Sequence, residues 1–176
     1  MGLKRNFVIA ILLLLAGSSW AQTDEYRGVQ FGVSARMEGI IGSYWFSGNA
    51  TLGYRFNQGN YLGLQSGYLM GGGTETQFRG VPVRLDYIHY FPLGAARRHS
   101  FILGTEAGGN YMMVRRSGRN YDGSEWKIEP TTSNGFDLYA CAKTGFDFNI
   151  ADFTHLQLAA LWIFPLGLGV SAGFTF

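Results

Sequence analysis

From Leu168 to Phe176 the chain alternates without a break. Leu168, Val170, Ala172, Phe174 and Phe176 form one row, and Gly169, Ser171, Gly173 and Thr175 form the other. A period of two is the signature of a β-strand with one apolar face and one small, polar face. The pattern recurs in segments of roughly ten residues separated by turn residues. It predicts strands over Tyr26–Arg36, Trp45–Phe56, Tyr61–Met70, Phe78–Phe91, Phe101–Val114, Phe136–Phe148, Thr154–Phe164 and Leu168–Phe176. In the first, Val29, Phe31, Val33 and Ala35 oppose Gln30, Gly32, Ser34 and Arg36. The stretch Leu156–Phe164 is also helical by composition, but Pro165 and its short length favour a strand. Pro82 lacks a donor for the ladder, so a bulge or frayed end is expected there.

Eight strands is an even number and the smallest size for a membrane-spanning barrel. Aromatic residues gather at the predicted strand ends, as amphipathic rings do at a bilayer interface. Tyr44, Trp45, Tyr68, Tyr111, Phe136, Trp162 and Phe164 predict an outer girdle; Tyr54, Phe56, Tyr61, Phe91, Phe101, Phe148 and Phe176 predict an inner one. A soluble, lipocalin-like barrel binding an apolar ligand is the alternative, with the rows reversed. Its outward row would carry more Lys and Glu than the glycine-rich second row here. The pattern therefore predicts an all-β, eight-stranded, antiparallel, up-and-down transmembrane β-barrel. With both barrel ends in the periplasm, connections 37–44, 71–77, 115–135 and 165–167 face outside.

The amino terminus sets the compartment. Lys4 and Arg5 precede the aliphatic run Phe7–Ala16, and Ser19-Trp20-Ala21 supplies small residues for a peptidase. This reads as a cleavable signal peptide over residues 1–21, with the barrel domain at 22–176 and the outer membrane as destination. Elsewhere no run reaches the ~18 apolar residues of a spanning helix. Without Lys4 and Arg5 the 14 basic residues fall to 12, equal to the 12 acidic ones, so no basic surplus points to nucleic acid. The single cysteine, Cys141, cannot form an internal disulfide and reads as a small packed residue.

The second row carries Arg36, Arg55, Arg84, Asp86, Glu106, Asp137, Lys143 and Asp147. Arg or Lys facing lipid at the midplane costs ~2–4 kcal/mol, so these residues are expected inside. There they need partners. Arg84, Asp86, Glu106 and Lys143 form the expected lumen cluster, with a register that sets Arg84 opposite Glu106. A plug of paired charges is the favoured role over an ion path. His89, His99 and His155 are isolated in sequence, and no serine motif, metal-ligand spacing or nucleotide loop accompanies them, so neither an enzyme nor a cofactor is expected. The longest predicted loop, Arg115–Gly135, mixes charge with aromatics. Its Arg115, Arg116, Arg119, Tyr121 and Trp126 are the types that anchor interfaces, and its arginines suit lipopolysaccharide phosphates.

Gly80-Val-Pro-Val-Arg-Leu-Asp-Tyr87 resembles a short strand of the PorT-like outer-membrane β-barrel domain family. Gly104-Thr-Glu-Ala-Gly-Gly-Asn-Tyr111 looks like that family's next strand, and Asp137 with Gly145-Phe-Asp147 resembles its later ones. The resemblance implies an outer-membrane location and a barrel fold, and it supplies no catalytic residues to carry over. The expected function is a small outer-membrane barrel with a structural or interaction role, a plugged lumen, outer-membrane lipid and lipopolysaccharide around it, and a possible protein partner at Arg115–Gly135. A subunit of a transport or secretion assembly is the other reading.

Overall fold

The computed structural model describes residues 27–94, 98–121, 126–151 and 153–176, so the expected signal peptide lies outside the described residues. The eight predicted strands form: β1 (Gly28–Ile40), β2 (Ser43–Arg55), β3 (Asn60–Gly73), β4 (Thr76–Leu93), β5 (His99–Tyr121), β6 (Trp126–Ala151), β7 (Thr154–Ile163) and β8 (Gly167–Thr175). Each pairs antiparallel with the next, and β1 pairs with β8 to close the barrel. Phe31 and Phe176 exchange backbone hydrogen bonds of 3.1 and 2.8 Å at the seam. Closure removes every sheet edge, which a bilayer without water requires. The ambiguous stretch is strand β7, with Leu161 and Ile163 inward and Leu158 and Trp162 outward.

The strands run farther than the alternation predicts. β1 and β2 meet at Ile41-Gly42, where φ of +79° at Gly42 suits a residue without Cβ. β3 and β4 are separated by residues 74 and 75 alone. No bulge forms at Pro82. Val83↔Ser66 and Gly80↔Leu69 keep one register on either side. The β3 ladder is interrupted for two residues, and Ser66 Oγ donates to Pro82 O at 2.9 Å. A flanking side chain thus takes up a carbonyl that a bulge would otherwise leave.

The two rows fall as expected. Val33, Leu52, Leu64, Val83, Leu85 and Phe146 point away from the barrel and are exposed. Arg36, Asn49, Gln65, Arg84, Glu106 and Lys143 point in and are buried. A lipocalin-like barrel has the opposite arrangement, so the soluble alternative fails. Two girdle assignments also fail. Trp45 is 9% exposed and Tyr61 4%, because both share the parity of the inward row. Tyr44, Tyr68, Tyr111, Phe136, Trp162 and Phe164 do stand outward. Tyr61 fits because Gly53 and Gly63 lie beneath its ring: a Cβ at either would clash with its hydroxyl.

Candidate functional site: the charged lumen and the outer hairpin

Period-two alternation brings inward side chains from five strands to one level: Arg36 and Glu38 (β1), Trp45 (β2), Arg84 and Asp86 (β4), Glu106 and Asn110 (β5), Tyr139 and Lys143 (β6). Arg36 holds Glu106 with a two-pronged contact, Nη1–Oε2 2.5 Å and Nη2–Oε1 2.6 Å. Lys143 Nζ bridges Asp86 Oδ1 and Glu106 Oε1, the latter at 3.2 Å. Arg84 Nη1 lies 3.4 Å from Glu38 Oε1, and its Nη2 donates to Asn110 Oδ1 at 2.9 Å. Its guanidinium carbon stands 3.5 Å from the centre of the Tyr139 ring. Tyr139 OH donates to Glu38 Oε1 at 3.0 Å, and Trp45 Nε1 donates to Glu38 Oε2. Three cations thus face three carboxylates, each desolvated charge with an opposite partner, which is the condition for burying ions.

Apolar side chains close the lumen on both sides of this layer. Toward the outer strand ends Trp45, Tyr139, Leu161 and Ile163 pack together with Ile40 and Phe78. Toward the inner ends Tyr61, Ile88, Tyr90 and Ile102 pack with Ala159. Between the ions and the inner layer lies a cavity of about 40 Å3, reached by Ser34, Arg36, Gln65 and Lys143. That is room for only a few waters, at ~10–15 Å3 each. Ser34 Oγ, Gln65 Oε1 and Arg36 Nε are buried without a hydrogen-bond partner in the protein. Below, Arg55 lies 3.9 Å over the Tyr90 ring and Gln157 Nε2 donates to Tyr90 OH at 3.0 Å.

The structure brings Arg84, Asp86, Glu106 and Lys143 together but not in the expected register. Arg84 faces Gly108, and Glu106 faces Asp86. Arg84 and Glu106 are diagonal neighbours on the β4–β5 ladder, 3.9 Å apart, while the main partner of Glu106 is Arg36 on the far wall. Asp137 shares the inward parity but is exposed, because β6 continues beyond the closed section. Glu38 was hidden in an expected loop, although the alternation Arg36-Met37-Glu38 continues through it. His155 is not isolated: its Nδ1 is 2.7 Å from Asp147 Oδ2. His89 Nδ1 is 2.9 Å from Asn60 Oδ1. Among the described residues no group of His, Cys, Asp and Glu has metal-binding geometry.

The expected loop 115–135 is chiefly strand. β5 and β6 stay paired through Arg115↔Thr132, Arg116↔Thr131, Arg119↔Ile128 and Tyr121↔Trp126. Outside the bilayer both faces of a hairpin are wet, so its strands need not alternate. Thr131, Thr132 and Ile128 supply β-branched residues that favour pairing. Arg115 and Arg116 are exposed; the side chains of 119–129, including Arg119, Tyr121 and Trp126, lie outside the described ones.

Eight closed antiparallel strands, an apolar outward row and a charged inward row define a transmembrane β-barrel of the outer-membrane type. No family model and no curated protein matches the chain. Among solved structures it is similar to Neisserial surface protein A, at 15% identity and a TM-score of 0.54 over 86% of this chain and 96% of that one. It is also similar to the outer membrane protein OprG from Pseudomonas aeruginosa, at 11% identity and a TM-score of 0.50, again over 86% and 96%. At such identities the likeness is one of fold. The PorT-like resemblance rests on its own motif residues.

Proposed function

We propose that this chain is an outer-membrane barrel with a structural or interaction role, its lumen plugged and its contacts made through the β5–β6 hairpin. The observation that carries the reading is the ion layer centred on Glu106, enclosed between the Trp45–Ile163 and Tyr61–Ile102 apolar layers. An ion crossing the barrel would have to displace paired charges and two packed layers, leaving desolvated ions unmatched. Binding then falls to the parts outside the bilayer. Of these the β5–β6 hairpin is the longest, against turns of a few residues between β1 and β2 or β3 and β4. The outer membrane as location is supported by the girdles, by the outward apolar row and by the folds of its structural neighbours. Purified protein reconstituted in a planar bilayer tests the plug: no stepwise current is expected, and a steady single-channel conductance would favour a transport role instead.

A further inference from the structure

The buried charges of the lumen have partners, whereas two of the described charges stand on the face of the barrel that meets the bilayer. Arg79 on β4 and Arg115 on β5 stand on the outward-facing row, and both are exposed. Among the described residues they are the only Lys, Arg, Asp or Glu side chains on the outward row of the strands, and neither has a carboxylate partner. Arg79 Nη2 lies 3.6 Å from Met113 Sδ.

Register fixes their depth. Arg79 pairs with Met70 on one side and Met113 on the other, and Arg115 pairs with Gln77. The next outward rung below Arg79 holds Tyr68, Val81, Tyr111 and Phe136, the aromatic belt. Aromatic belts lie at headgroup level, so the two guanidinium groups sit at the rim of the acyl region, where an arginine costs little. They are diagonal cross-strand neighbours, a spacing of ~7–8 Å in an antiparallel pair, close enough to grip one anion between them. Without an anion they repel each other.

They also border a groove. Gly71, Gly72 and Gly73 put no side chains on the end of β3, and the hollow of about 720 Å3 left there is lined by Phe46, Met70 and Met113 on the rung of Arg79, by Tyr68 one rung nearer the bilayer and by Arg115 one rung farther out. Apolar side chains next to two guanidinium groups, with an aromatic belt one rung nearer the bilayer, match an amphiphile with an anionic head. Arginine recognises phosphate with a two-pronged fork.

We propose that the groove beside Arg79 and Arg115 binds the phosphorylated headgroup of an acylated glycolipid of the outer leaflet, its phosphate between the two guanidinium groups and an acyl chain along Phe46, Tyr68 and Met70. The assignment rests on the outer-membrane placement, with the β5–β6 hairpin on the cell exterior. It adds a site on the barrel wall, distinct from the hairpin tip.

The test is native mass spectrometry of the processed protein in detergent, titrated with bisphosphorylated lipid A or its dephosphorylated analogue. The phosphorylated lipid should bind at least tenfold more tightly, and Arg79→Gln/Arg115→Gln should reduce its affinity to that of the analogue. Arg79→Lys/Arg115→Lys, which keeps charge but loses the fork, should fall between. Equal binding of the two lipids, or no effect of the Gln pair, overturns the site. Displacement of the lipid by millimolar inorganic phosphate alone marks a free-anion site and overturns the lipid assignment. Heat-modifiable migration on gels reports the barrel independently: a wild type that lacks it sinks the membrane reading and the site with it, whereas a heat-modifiable barrel indifferent to phosphate sinks the site alone.

Discussion

Glu106 and Asp86 face each other directly across the β4–β5 ladder, both inward and both buried. Two like charges at opposed positions destabilise a sheet. Lys143 sits between them with contacts to both, and Arg36 reaches over from β1 to take the rest of Glu106. The pair is therefore tolerated only as part of a larger neutral set that includes Arg84 and Glu38.

Removing one member strands the others. Glu106→Ala leaves Arg36 without its two-pronged partner and should lower unfolding stability by ~3–5 kcal/mol. Lys143→Met leaves Asp86 against Glu106 and should cost a similar amount. Asp86→Asn added to Lys143→Met should recover ~1 kcal/mol or more, because contacting sites couple. Urea titration in lipid vesicles measures these three and the Asp86→Asn single variant, which completes the cycle. If the Lys143→Met and Asp86→Asn effects simply add, the layer is not the coupled network its geometry describes.

The membrane reading has its own substitution test. Leu85 is 56% exposed, on the outward row of β4, between Leu64 and Ala107. Leu85→Arg places a charge at mid-strand against acyl chains and should destabilise the reconstituted barrel by ~2–4 kcal/mol. On a solvent-exposed face the same change is near neutral. A neutral result in vesicles would mean that this row does not meet lipid.

Tyr61 and Gly63 give a packing prediction. The tyrosine ring covers Gly53 and Gly63 and builds the inner apolar layer. Gly63→Ala drives a methyl group into that ring, at a cost of ~1–3 kcal/mol for an overfilled core. Tyr61→Leu in the same chain should relieve much of it. Calorimetry of the single and double variants decides: an unrelieved Gly63→Ala would mean that its penalty lies in the backbone.

What could be read in the sequence follows from what the alternation encodes. It assigns each residue a face, so the outward row and the inward charges were legible from β1 to β8. It does not encode stagger. A shift of one residue flips every side chain, whereas a shift of two leaves each on its face. For that reason Arg84 was expected opposite Glu106 when it faces Gly108, and the 70-residue separation of Arg36 from Glu106 gave no hint of their contact. Trp45 illustrates a second limit. Its position near a strand end suggested the girdle, but its parity with Ser47 and Asn49 sends the indole to Glu38. Parity is the stronger signal, because a strand has no freedom to turn one side chain around.

The β5–β6 hairpin was the least legible element, because past the bilayer the environment no longer imposes alternation. Its position makes it separable from the barrel. The ladder below Arg115↔Thr132 is held by lumen packing and by β4 as well as by its own pairing, whereas beyond Ser117↔Pro130 the described ladder pairs β5 with β6 and no longer with β4. Two strands alone are marginally stable. Deleting Tyr121–Glu129 removes the tip and should shift barrel unfolding by less than ~1 kcal/mol. The truncated protein should remain heat-modifiable and reach the outer-membrane fraction. Any protein that co-purifies with the intact chain should be lost with the tip, as read by pull-down from detergent extracts. A truncated barrel that keeps every partner would move recognition from the hairpin to the barrel wall or the shorter turns.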